Sequence, residues 1–296
     1  MPIPESQLET WSHQGAVQTS ADTYDSIKKC IESISWNSDI IFDIYLQGSY
    51  RNSTNIYGNS DVDIVVEFQS IFYSNKDEFS PEQRRIFDLR FSDGKYTLDA
   101  FRKPILEALK TNYGASVVEG NKAIKVPSGS NRLACDVICC AEYREYKDYS
   151  ESNQNQYFKG VRFWAKSGEE VTNFPKLHYE NGVQKNQETS TYKTVVRIFK
   201  NIRDRLISNG KVSATEIPSY FLECLIYNIP NHMFSSYTFQ EILQSCISYL
   251  FQISNSQGMG NFVCQNWRRY LFRQGQWNIV HAQKFITETK RLWDGW

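Results

Sequence analysis

The chain has 296 residues, of which 41% are hydrophobic and 22% are charged, and its 33 basic and 33 acidic residues cancel to a formal net charge of zero. This length exceeds what one core needs and predicts two packed subdomains. The balanced charge excludes recruitment of nucleic acid or an anionic membrane by the field of the whole molecule, and leaves only local patches for that role.

We expect neither a membrane-spanning protein nor a secreted one. No apolar run approaches the ~18 residues of a spanning helix, and the first ten residues lack the layout of a signal peptide. We therefore expect a cytoplasmic protein. The seven cysteines are scattered and include no C-x-x-C pair, so we interpret them as reduced, mostly buried thiols without a metal.

Hydrophobic periodicity predicts that the first half of the chain contains both helices and strands. A first amphipathic helix is followed by strands rich in β-branched residues, two of which form a hairpin around Gly120 and Asn121. The predicted helix covers residues 22–35, and the predicted strands cover residues 40–47, 62–68, 116–119, 123–126 and 132–140.

From about residue 191 the apolar period becomes that of helices. In the first of them the apolar residues share one arc, and the basic residues Lys193, Arg197 and Lys200 lie near the opposite arc. Further helices are predicted over residues 220–227, 239–251 and 282–293, and residues 151–188 are interpreted as a connection.

Asp61 and Asp63 are the clearest sign of chemistry. Because side chains alternate along a strand, both carboxylates project from one face while Val62 points into the core. Two such carboxylates repel each other unless a cation neutralises them, and Mg²⁺ favours one or two carboxylates together with substrate phosphates. The alternative is a pair of solvated carboxylates in a loop before a strand.

Gly48 and Ser49 stand upstream, where the strand that ends at Gln47 passes into a helix. Glycine permits close approach to the backbone, and a serine hydroxyl beside the free N–H groups of a helix start suits a phosphate. A Gly-Ser pair followed by a strand with Asp-x-Asp is typical of the polymerase β type nucleotidyltransferase fold.

That superfamily takes a third carboxylate from a neighbouring strand, and Asp136 is the candidate. It lies in the middle of a predicted strand, where an acid is costly to bury without a partner. The alternative is an aspartate satisfied by local hydrogen bonds. The other acids nearby are assigned to strand ends or solvent-facing positions, namely Asp43, Glu67, Glu119 and Glu142.

Three blocks in the second half narrow the resemblance: NFPKLHYENGVQKN (173–186), YKTVVRIFKNIRD (192–204) and PSYFLECLIY (218–227). With the Gly-Ser, Asp-x-Asp and Asp136 set, they make the chain resemble the bacterial CD-NTase family, relatives of cyclic GMP-AMP synthase and oligoadenylate synthase. The resemblance runs from about residue 27 to the end. It implies an α+β fold, with a mixed sheet flanked by helices as the nucleotidyltransferase core (1–165), a helical C-terminal subdomain (166–296) and the active site in the cleft between them.

The resemblance also implies roles for individual residues. Asp61 and Asp63 would hold two Mg²⁺ ions, with Mn²⁺ as a substitute, and Asp136 would complete the site of the ion that activates the attacking hydroxyl. This agrees with a two-metal in-line displacement that releases pyrophosphate. Ser49 would contact the triphosphate. Gln47 and Gly48 would bind the nucleotide together with Ser49.

In the second half, Lys193 resembles the family lysine that neutralises the triphosphate, and Ser219 resembles the serine beside it. The alternatives are a solvated helix lysine and a helix N-cap after Pro218. Tyr220 resembles the aromatic residue on which a nucleobase stacks, with a core residue as the alternative. Asn173 is a candidate for reading a base edge, although an asparagine before a turn is commonplace.

Three further basic residues, Arg51, His178 and Lys185, are candidates for approaching phosphates but not for catalysis. The function implied is an enzyme that joins two or three NTPs into a cyclic second messenger, which acts on an effector protein in CBASS-type antiphage signalling. The alternatives are transfer of a nucleotide to an RNA end, a protein or a small molecule, and an inactive nucleotide-binding regulator.

No double-stranded DNA activator is expected. Vertebrate DNA-sensing relatives carry a zinc-binding Cys/His insertion and a strongly basic surface, whereas Cys139 and Cys140 are adjacent here and the net charge is zero. The bases used, the linkage, the ring size and the oligomeric state stay open.

Overall fold

The protein is described from a computed structural model that covers residues 2–58, 61–150, 152–153, 155–256, 258–273 and 277–296. The helices are α1 (Glu5–Ser12), α2 (Val17–Glu32), α3 (Gly48–Asn52), α4 (Pro81–Arg90), α5 (Leu98–Tyr113), α6 (Pro175–Thr189), α7 (Tyr192–Ser208), α8 (Ser219–Tyr227), α9 (Phe239–Asn255) and α10 (Ile279–Asp294). The strands are β1 (Phe42–Gln47), β2 (Val62–Ser74), β3 (Val118–Glu119), β4 (Ile124–Val126), β5 (Cys135–Tyr146), β6 (Tyr157–Trp164) and β7 (Glu170–Asn173).

The chain forms two compact units. The sheet unit comprises Ala16–Tyr50 and Asp61–Lys176, and the helical unit comprises Met1–Gly15, Arg51–Ser60 and Leu177–Trp296. Such units are not the same as the predicted domains 1–165 and 166–296, which stay a prediction. Among the described residues, no helix is both long and apolar enough to cross a membrane.

The sheet of the first unit is mixed. Its order is β1-β2-β5-β4-β3, and β6 pairs with β5 and with β7. β2 runs parallel to β5, whereas β1 is antiparallel to β2 and β4 is antiparallel to β5. The register sets Gln47 opposite Asp63, Asp63 opposite Asp136, and Asp136 opposite Lys125. Opposed residues share a face, so these four polar side chains form one row across four strands.

The other face of the sheet is its core face. Val62, Ile64 and Phe68 alternate along β2 and are fully buried. Phe68 stacks on Phe101 of α5 with ring centroids 4.4 Å apart. Helices α2 and α5 cover this face, and the alternation directs Asp63 away from it.

The helical unit is built around α7 to α10. Its apolar arcs bury Val195, Phe199, Phe221, Leu250 and Phe285 in one core. The predicted helical second half is therefore confirmed. All seven cysteines are free and buried, as expected for reduced thiols.

The predicted elements of the first half exist, with shifted ends. The helix predicted over residues 22–35 is α2, which begins at Val17 and ends at Glu32, and the hairpin of β3 and β4 is present. β2 and β5 continue to Ser74 and Tyr146, well beyond their predicted ends.

The prediction of a connection over residues 151–188 is wrong for its described part, which contains β6, β7 and most of α6; residues 151 and 154 lie outside the described residues. In β6 the buried Val161 and Phe163 alternate with Arg162 and Trp164, but Gly160 interrupts the pattern. A strand with so short an alternation is easily missed.

Candidate active site

The structure brings the three predicted carboxylates to one edge of the sheet. Asp61 is exposed just before β2, Asp63 is partly exposed, and Val62 between them is fully buried. Asp63 lies directly opposite Asp136 on the parallel strand β5. The main-chain N–H of Val62 donates to the carbonyl of Ala134 at 3.0 Å, which fixes this register at the site itself.

Asp136 is in an environment that disfavours its charge. Burial raises the pKa of its carboxyl, Lys125 opposes that rise, and the charge of Asp61 adds to it. Its charged partner is Lys125, whose Nζ lies 3.8 Å from Oδ1. This is a loose ion pair, and a cation beside Asp136 would favour the charged form of its carboxyl.

The carboxylates do not form a closed metal cage. Among the described residues, no three His, Cys, Asp or Glu side chains are grouped so that they could hold a metal ion. Mg²⁺ does not need such a cage, because it keeps several waters and takes one or two carboxylates plus substrate phosphates. The all-oxygen, partly open set of Asp61, Asp63 and Asp136 fits an ion that arrives with its substrate.

Gly48 is placed where only a glycine fits. It follows Gln47 at the end of β1, has φ of +65°, and a Cβ there would overlap Oδ2 of Asp63. The backbone at the start of α3 therefore lies directly against a predicted metal ligand. Ser49 is the second residue of that short helix and is partly exposed.

Lys193, in the helical unit, belongs to a group of cations. Its Nζ lies 5.4 Å from the ring centre of Tyr179, and the guanidinium of Arg51 lies 4.0 Å from the same centre. Burial lowers the pKa of Lys193, and the charges of Arg197 and Arg51 lower it further. Lys193 is therefore partly buried, and such a group of like charges suits a polyanion.

Ser219 and Tyr220 begin α8. Pro218 occupies the N-cap position, so the alternative of Ser219 as the N-cap is wrong, and Ser219 is exposed. Tyr220 is 40% exposed, which is not a core position. Its ring stacks on that of His178, with centroids 5.1 Å apart and planes at 28°. Asn173 is exposed at the end of β7, opposite Val161.

Sequence reasoning missed a buried charge network in the helical unit. Glu223 of α8 accepts hydrogen bonds from Lys200 at 2.6 Å and Thr54 at 2.7 Å, and lies 3.1 Å from Nε2 of His178. Lys200 is buried, which corrects its assignment to the arc opposite the apolar one. In the sequence, the sign of this network is Glu223 itself, a single acid within the apolar run of α8.

A second network lies in the sheet unit. Glu67 and Glu142 are buried, so their assignment to strand ends or solvent-facing positions is wrong. Lys159 bridges the two carboxylates at 2.9 and 2.7 Å, and Lys176 lies 3.3 Å from Glu67. The phenol of Tyr45 donates to Glu67 at 2.9 Å. These charges neutralise one another within the sheet unit.

Two of the basic residues that were candidates for approaching phosphates, His178 and Lys185, lie inside the helical unit. His178 is buried against Glu223. Lys185 is buried as well, and its Nζ donates to the carbonyl of Ile229 at 2.8 Å and to Oδ1 of Asn231 at 2.7 Å.

Comparison with known proteins decides the family. A family model described as the cGAS/DncV-like nucleotidyltransferase C-terminal helical domain matches residues 180–294, and a nucleotidyltransferase domain model matches residues 27–113. The cyclic UMP-AMP synthase of Rhodothermus marinus (strain SG0.5JP17-172) is 42% identical to this chain, over 100% of the chain and 99% of that protein. The chain belongs to the cGAS/DncV-like nucleotidyltransferase (CD-NTase) family.

Other CD-NTases agree over the whole length. The cyclic nucleotide synthase CdnE01 of Staphylococcus haemolyticus is 37% identical over 100% of both chains. The structure of the Rhodothermus marinus CdnE c-UMP-AMP synthase with Apcpp and Upnpp matches with a TM-score of 0.88 at 42% identity, over 100% of this chain and 98% of that one. These matches confirm the predicted family and fold class, a nucleotidyltransferase core with a helical C-terminal domain.

Proposed function

We propose that this CD-NTase joins NTPs into a cyclic di- or trinucleotide and releases pyrophosphate. The observation that carries the proposal is the placement of Asp63 opposite Asp136 on parallel strands, with the charge of Asp61 acting on Asp136. The relatives support it, since they are named cyclic nucleotide synthases and one is solved with two nucleotide analogues.

The chain's own residues would divide the work. Asp61, Asp63 and Asp136 would hold two Mg²⁺ ions, or Mn²⁺ in their place. When bound, such ions supply the charge that activates the attacking hydroxyl and stabilises the leaving pyrophosphate. Gly48 keeps the space beside Asp63 free of a side chain. Ser49 would donate to the triphosphate, in a set with Gln47 and Gly48.

The helical unit would supply charge and stacking. Lys193, with Arg51 and Arg197 near it, would neutralise the triphosphate, and Ser219 would donate to it. The partly exposed ring of Tyr220, held on its other side by His178, would stack on a base. Asn173 would read the edge of a base.

The product would act as a second messenger. Family context supports CBASS-type antiphage signalling through an effector protein in the same cytoplasm. We propose no double-stranded DNA activator, because the chain's net charge of zero gives no field that would recruit a polyanion of that length.

Product analysis tests the proposal. The purified protein is incubated with all four radiolabelled NTPs and Mg²⁺ or Mn²⁺, treated with phosphatase and resolved, beside Asp63→Asn and the matched control Asp93→Asn, which changes an exposed aspartate outside the site. We expect a phosphatase-resistant product from the wild type and the control but not from Asp63→Asn. Equal product from Asp63→Asn would refute the proposal, and product that forms only when an RNA, protein or small-molecule acceptor is added would favour transfer to another acceptor.

A further inference from the structure

The helical unit contains a cavity of about 530 Å³. That size lies in the range of small-molecule sites. Among the described residues that line it, Lys185 was a candidate for approaching phosphates, and none belongs to the predicted nucleotide-binding set of the catalytic site. The side chains on which the argument depends are Gln184, Lys185, Glu188, Tyr227, Asn231 and Trp267.

Trp267 presents an indole at this cavity. The residue is 61% exposed, and its φ of +57° is unusual for a bulky residue. The indole N–H donates to the hydroxyl of Tyr227 at 2.6 Å, and the two rings stand at 87° to each other. Strained backbone of this kind persists where the surroundings hold it, and it concentrates at ligand sites. Trp267 is therefore an oriented, open stacking surface.

A polar wall lies in the same cavity. The amide of Asn231 accepts from Lys185 at 2.7 Å and donates to Glu188 at 2.6 Å, which sets an ammonium beside a carboxylate. Gln184 donates to the other oxygen of Glu188 at 3.0 Å. An ionised carboxylate has about four acceptor positions, so Glu188 can accept further hydrogen bonds from a ligand.

Lys185 also has capacity left. An ammonium carries three donors, and among the described residues two oxygens accept from it, those of Ile229 and Asn231. Burial lowers the pKa of Lys185 to about 8, and the charge of Glu188 offsets only part of that effect. A carbonyl oxygen brought in by a ligand would stabilise the protonated form.

We propose that this cavity binds a free guanine nucleoside or nucleotide through its base. The base stacks on Trp267, its carbonyl oxygen accepts from Lys185, and its ring N–H and amino group donate to Glu188. The edge of guanine carries one hydrogen-bond acceptor beside two donors. This order complements the ammonium of Lys185 and the carboxylate of Glu188, which both hydrogen-bond to the amide of Asn231. Adenine presents a donor where Lys185 needs an acceptor.

Calorimetric titration of the full chain with guanosine, without metal or NTP, tests the site independently of catalysis. We expect saturable binding of guanosine, weaker binding of inosine, which lacks the amino group, and the weakest binding of adenosine. Trp267→Ala and Glu188→Gln should each weaken guanosine binding by at least about tenfold, the size expected for a lost stacking partner or a lost base-edge pair.

Two further variants locate the binding. Tyr270→Ala removes another exposed aromatic residue of the same loop that does not line the cavity, and Tyr220→Ala alters the predicted catalytic base site. Both should bind guanosine as the wild type does. The proposal is overturned by absence of saturable binding at millimolar guanosine, by adenosine binding as tightly, by unchanged affinity in Glu188→Gln, which keeps the shape of an exposed side chain, or by loss of binding in Tyr220→Ala.

Discussion

Replacing Glu223 by glutamine should destabilise the helical unit far more than its small change in shape suggests. Glu223 and Lys200 are both buried, with Nζ 2.6 Å from Oε1. Glutamine preserves the volume but leaves the ammonium of Lys200 buried without a counter-charge. Breaking a buried pair from one side costs ~3–5 kcal/mol, because the remaining charge is uncompensated.

The pH dependence has a definite sign. Burial opposes ionisation of Glu223, but the charges and hydrogen bonds of Lys200 and His178 prevail and hold the pKa of its carboxyl well below the usual range. A carboxyl with a depressed folded pKa adds stability above its unfolded pKa of about 4.3, and loses it as the pH falls toward the folded value. The difference between wild type and Glu223→Gln should therefore be full at neutral pH and shrink in acid.

Thermal unfolding followed by circular dichroism measures the effect. At ~2–4 °C per kcal/mol for a chain of this order of size, Tm should fall by roughly 6–20 °C. The matched control is Glu82→Gln, which breaks the ion pair of Glu82 with Arg85 on the surface, where both side chains are more than 60% exposed; its Tm should be unchanged.

A double variant separates charge from packing. Glu223→Gln combined with Lys200→Met removes both charges, and replacement of a whole buried pair by groups of similar volume is often close to neutral. The double variant should therefore recover much of the stability that the single change loses. A Tm for Glu223→Gln equal to that of the surface control, or no recovery in the double variant, would refute the reasoning.

Three further outcomes are expected. Gly48→Ala places a Cβ against Asp63 at a φ of +65° and should lower stability by about 1–2 kcal/mol and product formation at least tenfold; full activity would contradict the close approach. Lys193→Ala should raise the KM for NTP more than it lowers kcat, and an unchanged KM would remove Lys193 from the site. Asp136→Asn should give no product and yet, without divalent ions, melt no lower than the wild type. Burial and the charge of Asp61 raise the pKa of Asp136, so any stability that its carboxyl contributes is lost as the pH rises through that pKa. A lower Tm for Asp136→Asn would contradict this.

The parts of the site that are local in sequence could be predicted. Alternation alone places Val62 in the core and Asp63 on the other face, and the structure confirms that Val62 is buried and Asp63 is partly exposed; Asp61 is exposed just before β2. The pairing of Asp63 with Asp136 is not local, since α4, α5, β3 and β4 lie between the two strands in the sequence. The superfamily pattern and the cost of burying an acid in a strand pointed to Asp136, but its position opposite Asp63 could not be predicted, because strand register depends on packing that no single segment encodes.

The buried ion pairs could not be predicted from the sequence for a related reason. Glu67 and Glu142 satisfy a solvent-facing pattern when each strand is considered alone, and their partners Lys159 and Lys176 lie in a stretch interpreted as a connection. Glu223 likewise depends on a lysine from another helix. A charge inside an apolar pattern can be recognised in a sequence, but its partner cannot be identified until the fold brings the two together.

The direction of each pKa shift separates the charged groups whose ionic partners outweigh burial from those whose partners do not. Burial opposes the charge of Glu223 and of Lys159, yet their ionic partners prevail, lowering the pKa of the acid and raising that of the base. Burial prevails at Asp136, whose pKa is raised, and at Lys193, whose pKa is lowered, so in both cases folding disfavours the charged form. Lys185 behaves as these two do. Groups whose charged form is disfavoured by folding concentrate at functional sites. Lys185 shares this property with Asp136, a predicted metal ligand, and with Lys193, a predicted triphosphate-binding residue, which is consistent with a ligand in its cavity.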